Sequence, residues 1–292
     1  MDAILEPLGY SFFREGLFVA ALAGALLGFI GVYIVLRGMS YIGHGLSHSI
    51  FGGFAAVQLF AAQFYVLGAG LWGIASALAI NAVSRRSRLG ADAAIGVITT
   101  ASFALGVALF ARFGTSGPSF ENALFGSILG ISPEQIIGLV AVSLLAVAFV
   151  FLRYRALLFT TFDSEVADVS GVRVNRVEAQ LMIVLSLAIL ATLTIIGVTL
   201  VAAMLVIPAV VARMLTDSFG RMLAWSTAIG AFSGLVGMYA SYYAEVPSGT
   251  MIVLVGALIF LVVFAFAGRT RRRRSAGLDA HMEPVPAAMP IR

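Results

Sequence analysis

Residues 251–268 read MIVLVGALIFLVVFAFAG, and residues 139–152 read LVAVSLLAVAFVFL. The first carries no charge and comes close to the roughly 20 residues a helix needs to cross the hydrocarbon of a bilayer. Such runs recur along the chain. Of its 292 residues, 61% are hydrophobic and 11% are charged, where a soluble domain carries about 25% charged residues. The mean hydropathy is +1.03. Charges gather in short clusters between the apolar runs, a distribution that one soluble core cannot use. In lipid every backbone polar group must be satisfied internally. The chain is therefore read as all-α, a polytopic transmembrane helical bundle.

Nine apolar segments can be drawn, at roughly 16–36, 42–62, 64–84, 92–113, 134–153, 177–196, 197–214, 222–243 and 248–268. The second and seventh are the least regular, because Gly52, Gly53 and Pro208 interrupt them. Eight crossings plus one partly inserted segment is the alternative. The arginines favour nine. With the amino terminus outside, Arg37, Arg85, Arg86, Arg88, Arg153, Arg155, Arg173, Arg176, Arg213, Arg221, Arg269 and Arg271–Arg274 all become cytoplasmic, leaving Arg14 and Arg112 on the far side. That bias is the one membrane insertion imposes. A transmembrane domain is thus expected over 1–268, with a basic, disordered cytoplasmic tail over 269–292. The acidic opening MDAILEP does not look like a cleaved signal peptide.

Composition also excludes chemistry. The 31 glycines point to close helix packing, and the absence of cysteine removes disulfides and thiolate metal sites. All 18 basic residues are arginine. Without lysine there is no P-loop of the usual kind and no Schiff base. No enzymatic activity is expected of this chain, and no permanently bound cofactor. Carboxylates are scarce in the middle of the segments, which leans against coupling to protons or sodium. An energy-coupling partner is the economical inference.

Two stretches stand out. Residues 41–53 read YIGHGLSHSIFGG and hold two of the three histidines. Positions four apart share one helix face, so His44 and His48 can point together into whatever that face lines. Neutral imidazole suits borderline-soft divalent metals. The plainer alternative is that each ring bonds a neighbouring carbonyl and fixes packing. Two nitrogens do not complete a tetrahedral shell, but a second subunit related by a two-fold axis, water or an oxygen ligand would. The other stretch is the cytoplasmic loop at about 156–175. There FDSEVADVSG reads as a short amphipathic helix stopped at Gly171, either a capped surface helix or a docking helix. A short helix dipping into the membrane surface is expected within FENALFGSILG (120–130).

Five landmarks occur in order: GVYIVLRGMSYIGHGLSHSIFGG (31–53), LFGSILGISPE (124–134), FDSEVADVSGV (162–172), GVTLVAAMLVIPAVVARMLT (197–216) and EVPSGTMIVLVGA (245–257). Together they resemble the membrane subunits of bacterial zinc, manganese and iron ABC importers, the metal-permease family of the type II importer class. The resemblance implies a two-fold permease dimer, of identical or related chains, in the cytoplasmic (inner) membrane. It further implies two cytoplasmic ATP-binding subunits and an extracytoplasmic solute-binding protein, with no nucleic-acid partner. His48 matches the histidine of the family pattern Gly-Asp-Ala-Leu-Ser-His, and His44 stands where many members have aspartate. Both are then expected to form a transient metal site, with Ser47 and Pro208 lining or gating the path. Phe162, Asp163, Glu165, Asp168 and Gly171 fall in the segment that meets the ATPase. Imidazole in place of carboxylate favours zinc as cargo, with manganese or iron as alternatives. Two other readings stay open: a permease for a metal chelate such as a siderophore or corrinoid, and an autonomous secondary metal carrier.

Overall fold

The computed structural model describes residues 6–58, 65–86, 91–113 and 131–279. After a short 3-10 turn at Glu6–Gly9 come α1 (Ser11–Leu36), α2 (Ile42–Gln58), α3 (Tyr65–Arg86), α4 (Ala91–Phe113) and α5 (Pro133–Leu152). Two short helices follow, α6 (Tyr154–Phe162) and α7 (Ser164–Val169). The chain then continues through α8 (Val174–Ile196), α9 (Val198–Leu215), α10 (Phe219–Ala244) and α11 (Ser248–Asp279). Each of the nine expected apolar segments is thus helical over its described residues. Seven helices among the described residues are long and apolar enough to cross a membrane. The other two long ones are α2 and α9, of 17 and 18 residues, the pair that the glycines and proline make least regular. The expected surface helix at 120–130 lies outside the described residues, as does 280–292. The basic stretch from Arg269 begins as a continuation of α11, which runs to Asp279.

Local chemistry sets several boundaries. At the start of α5, Ser132 Oγ accepts from the Gln135 backbone N–H while the Gln135 side chain accepts from the Ser132 N–H, and Pro133 fills the first helical position. This reciprocal cap satisfies donors the helix cannot. Between α8 and α9 stands a single residue, Gly197, at φ 96° and ψ 152°. Such a backbone is open to glycine and strained for any residue with a side chain.

The core runs along α1, most of which is buried by other helices, whereas α5 and α11 leave most of their apolar surface uncovered. Small residues set the spacing of α1 and α10. A side-chain carbon on Gly24 would collide with the Gly230 carbonyl, and one on Gly230 with the Gly24 carbonyl. Ser226 Oγ donates to the Gly28 carbonyl at 2.6 Å across the same seam. Lipid offers no hydrophobic drive between helices, so such close approach and hydrogen bonding hold them together.

Alanine raises helix propensity over glycine by about 1 kcal/mol in open surroundings. Gly138 of α5 has nothing within 4 Å of a built side-chain carbon, so Gly138→Ala is expected to raise the thermal midpoint of the purified protein. Gly230→Ala is expected to lower it, because the backbone collision outweighs propensity. Equal shifts at both sites would contradict the packing account.

Candidate functional site

Glycines seat α2 on three sides. A side-chain carbon on Gly43 would meet Leu205 of α9; on Gly45, Ile95 and Thr99 of α4; on Gly52, the backbone of Ser102 and Phe103; on Gly53, the ring of Trp72 in α3. Residues advance by about 100° around a helix. His44 and His48 consequently fall in the remaining sector, between the α9 side and the α4 side. Both are half-buried. Their ring centroids lie 4.3 Å apart with planes inclined at 58°. Tyr41 extends the column, its ring 5.3 Å from that of His44, and Phe103 of α4 closes the other end, 5.4 Å from His48. The Nδ1 atom of His48 is buried and has no hydrogen-bond partner. A buried imidazole nitrogen with a free lone pair or N–H is costly unless something occupies it.

Behind the pair, α2, α3 and α4 are stitched by hydroxyls. Ser49 Oγ donates to Ser76 Oγ at 2.6 Å and lies 2.7 Å from Ser102 Oγ, to which Trp72 Nε1 also donates. These bonds hold the helix next to His48 in register. Ser47 is fully buried, and its hydroxyl donates to the His44 carbonyl at 2.9 Å. Pro208 is buried inside α9, where it denies the Met204 carbonyl its helical partner. At Gly43, α2 meets α9 through Ala202 and Leu205. Among the described residues no three His, Asp or Glu side chains form a metal-holding group. One chain offers the two imidazoles as an incomplete shell.

The segment expected to dock a partner is more structured than its sequence suggests. Residues 154–162 form α6, and Asp163, extended at φ −153°, separates it from α7. Asp163 Oδ1 accepts from the backbone N–H of Glu165 and Val166 at 3.1 and 2.9 Å. Gly171, at φ 81°, ends α7: its N–H donates to Asp168 and that of Val172 to Ala167, the double closure that a left-handed residue permits. Ala167 is buried, while Phe162, Glu165, Val166, Asp168 and Val169 are exposed. The result is a capped knob with one inward and one outward face.

One anchor has no signal in the spacing of the sequence. Arg37, the residue after α1, ion-pairs with Glu178 of α8 at 3.7 Å, with both side chains largely buried. Its Nη2 donates to Thr160 Oγ1 at 2.7 Å and its Nε to Thr161 Oγ1 at 3.2 Å. Burial pushes the guanidinium pKa down, and the Glu178 carboxylate opposes that shift. Sequence reading treats Arg37 as one more cytoplasmic charge. Phe103 is equally invisible to it, whereas Tyr41, three residues before His44, could have been placed on the same face.

A bundle of long apolar helices with paired imidazoles on an interior helix is the architecture of a polytopic membrane protein. The chain belongs to the ABC 3 transport family, whose model matches residues 9–267; it is a permease subunit of a metal-ion ABC transporter and a multi-pass protein of the bacterial inner membrane, not a catalytic protein. It is 36% identical over 262 residues to the manganese transport system membrane protein MntC of Halalkalibacterium halodurans, covering 90% of this chain and 89% of that one. It is 35% identical over 268 residues to the chelated iron transport system membrane protein YfeC of Yersinia pestis, covering 91% and 90%. In structure it is similar to PsaBC from Streptococcus pneumoniae in complex with Fab, with a TM-score of 0.80 and 29% identity over 90% of this chain and 95% of that one.

Replacing Asp163 with alanine removes the cap of α7, a loss of about 1 kcal/mol that corresponds to roughly fivefold faster local opening. Hydrogen exchange at the Glu165 and Val166 amides is expected to quicken accordingly, with α8 unaffected. Unchanged exchange at both amides would contradict the capping role.

Proposed function

We propose that this chain imports divalent metal ions as the membrane half of an ATP-driven transporter. Two permease chains form a two-fold dimer around the path, an extracytoplasmic solute-binding protein delivers the ion, and two ATP-binding subunits engage the α6–α7 knob. The observation that carries the proposal is the pairing of His44 and His48 in the sector of α2 that α3, α4 and α9 leave open. On this reading α2 and α9 also cross the membrane, giving nine spans with the amino terminus outside. The basic clusters then lie in the cytoplasm, as insertion prefers.

An ion entering the membrane loses water, and nitrogen lone pairs must replace part of that hydration. Two imidazoles from each of two chains supply up to four ligands. A relay that must also let go of its cargo is served by a shell that each chain leaves incomplete. ATP-driven closure of the partner subunits shifts the α6–α7 knob, and the dimer rocks from outward-open to inward-open. Ser47 and Pro208 take supporting places. Ser47 leaves room beside the rings, and Pro208 loosens the backbone of α9, which flanks the path.

The cargo follows from ligand softness. Histidine at position 44, in place of an oxygen ligand, favours zinc over manganese. A second reading, manganese or iron, is favoured by the names of the related proteins MntC and YfeC; the latter name also keeps a chelated cargo in view.

His48→Ala is expected to leave assembly with the ATP-binding subunits intact. It should lower metal uptake by at least about tenfold, the loss that even a residue behind a metal ligand commonly brings. His44→Asp is expected to retain transport and move preference toward manganese. Uptake of radioactive zinc and manganese, normalised to membrane abundance, measures both. Undiminished uptake by His48→Ala would overturn the relay.

A further inference from the structure

We propose that Arg37 is the positioning residue through which movement of the α6–α7 knob reaches the histidine helix. The inference deepens the permease reading and rests on it, since it takes α6–α7 to be the part moved by ATP.

Arg37 stands where three elements meet. Its guanidinium donates to Thr160 and Thr161 in the last turn of α6, immediately before Phe162, and ion-pairs with Glu178 in α8. Its side chain is only 6% exposed, so these partners are what keeps its charge tolerable in place. A planar fork of donors fixes orientation as well as distance, which a lysine could not do. A displacement of α6 therefore either carries Arg37 along or strands a buried charge.

The connection from Arg37 to the histidines is stiff. At the end of α1, Gly38 N–H donates to Val35 and Met39 N–H to Ile34, with Gly38 at φ 69°. Ile42 N–H then donates to Met39, and Gly45 N–H to Tyr41. Met39 thus bonds to both helices, through its N–H to the last turn of α1 and through its carbonyl to the first residue of α2, next to Tyr41 and within a turn of His44. Apolar packing reinforces the same corner: Tyr33 of α1 clusters with Leu157 of α6, Val177 and Leu181 of α8, and Val172 beyond α7. Phe162 also rests on Phe219 of α10 at 6.1 Å. That aromatic contact can slide, whereas the charged fork cannot release its partners cheaply.

A merely structural staple would behave differently. Weakening it would lower abundance, ATP hydrolysis and uptake together. A transmission element, once weakened, lets the partner subunits hydrolyse ATP while the histidine helix stays behind.

The test uses the full chain assembled with its ATP-binding and solute-binding partners in liposomes, with zinc(II) and manganese(II) as the transported ions. The variants are Thr160→Val with Thr161→Val, Glu178→Gln and Arg37→Lys. The valine pair and Glu178→Gln are expected to keep ATP hydrolysis within about twofold while ions moved per ATP fall about tenfold, in the usual range of coupling between sites. Arg37→Lys, which keeps the charge and loses the fork, is expected to fall between these and the unaltered protein. Hydrogen exchange at residues 42–46 should respond to a non-hydrolysable ATP analogue in the unaltered complex and not in the valine pair. Unchanged ions per ATP, or hydrolysis and uptake falling in step, would overturn the inference while leaving the permease reading in place. Absence of ATP-dependent uptake by the unaltered complex would overturn both.

Discussion

Close approach of three neighbouring helices to the glycines of α2 is the constraint on which the candidate site depends. Gly43, Gly45, Gly52 and Gly53 let α9, α4 and α3 approach to the helix itself, and Gly106 of α4 returns the favour against Gly52. Helices packed this tightly leave His44 and His48 the sector between the α9 side and the α4 side, while Ile42, Leu46 and Ile50 are buried in the core. The imidazoles are thus aimed by what their neighbours lack in bulk. A methyl group at Gly52 would meet the α4 backbone at Ser102 and Phe103, push that helix away and tilt the rings with it. Packing here sets where the rings point, with dispersion and hydrogen bonding in place of the hydrophobic effect as the force between helices.

Among the polar groups that this apolar chain keeps away from water, Arg37 and the histidine pair meet the cost differently. At Arg37 the charge is permanent and its partners are built in. Removing one partner of a buried pair typically costs about 3–5 kcal/mol, because the survivor is left uncompensated. At His44 and His48 the proposed relay would take the ion on neutral imidazoles, and the Nδ1 atom of His48 is buried with no hydrogen-bond partner. The first arrangement favours permanence; the second favours occupation by something that comes and goes.

Much of the architecture was legible in the sequence because hydrocarbon demands long, unbroken apolar runs with a self-satisfied backbone. All nine apolar segments are helical over their described residues, and the two that fall outside the seven long apolar ones are those carrying Gly52, Gly53 and Pro208. The stop at Gly171 was legible from turn chemistry, and the facing of His44 and His48 from helical period. What escaped was tertiary. YRALLFTTF carries too mixed a pattern to announce α6, and that helix takes its place from packing Leu157 and Ala156 beneath α1 and α8. The partners of Arg37 come from distant parts of the chain, so no local spacing could connect them. Phe103 likewise reaches His48 from another helix.

Gly197 is the whole of the link between α8 and α9. Neighbouring helices joined by longer loops can slip past each other while the loop absorbs the difference. Here there is no slack to absorb. Any axial slide of α9 must be followed by the adjoining end of α8, and the freedom that remains is pivoting about one residue's two dihedral angles. The pair behaves as a jointed lever with a single knuckle. One arm of that lever carries Glu178, and the other carries the Leu205 turn against which α2 is seated.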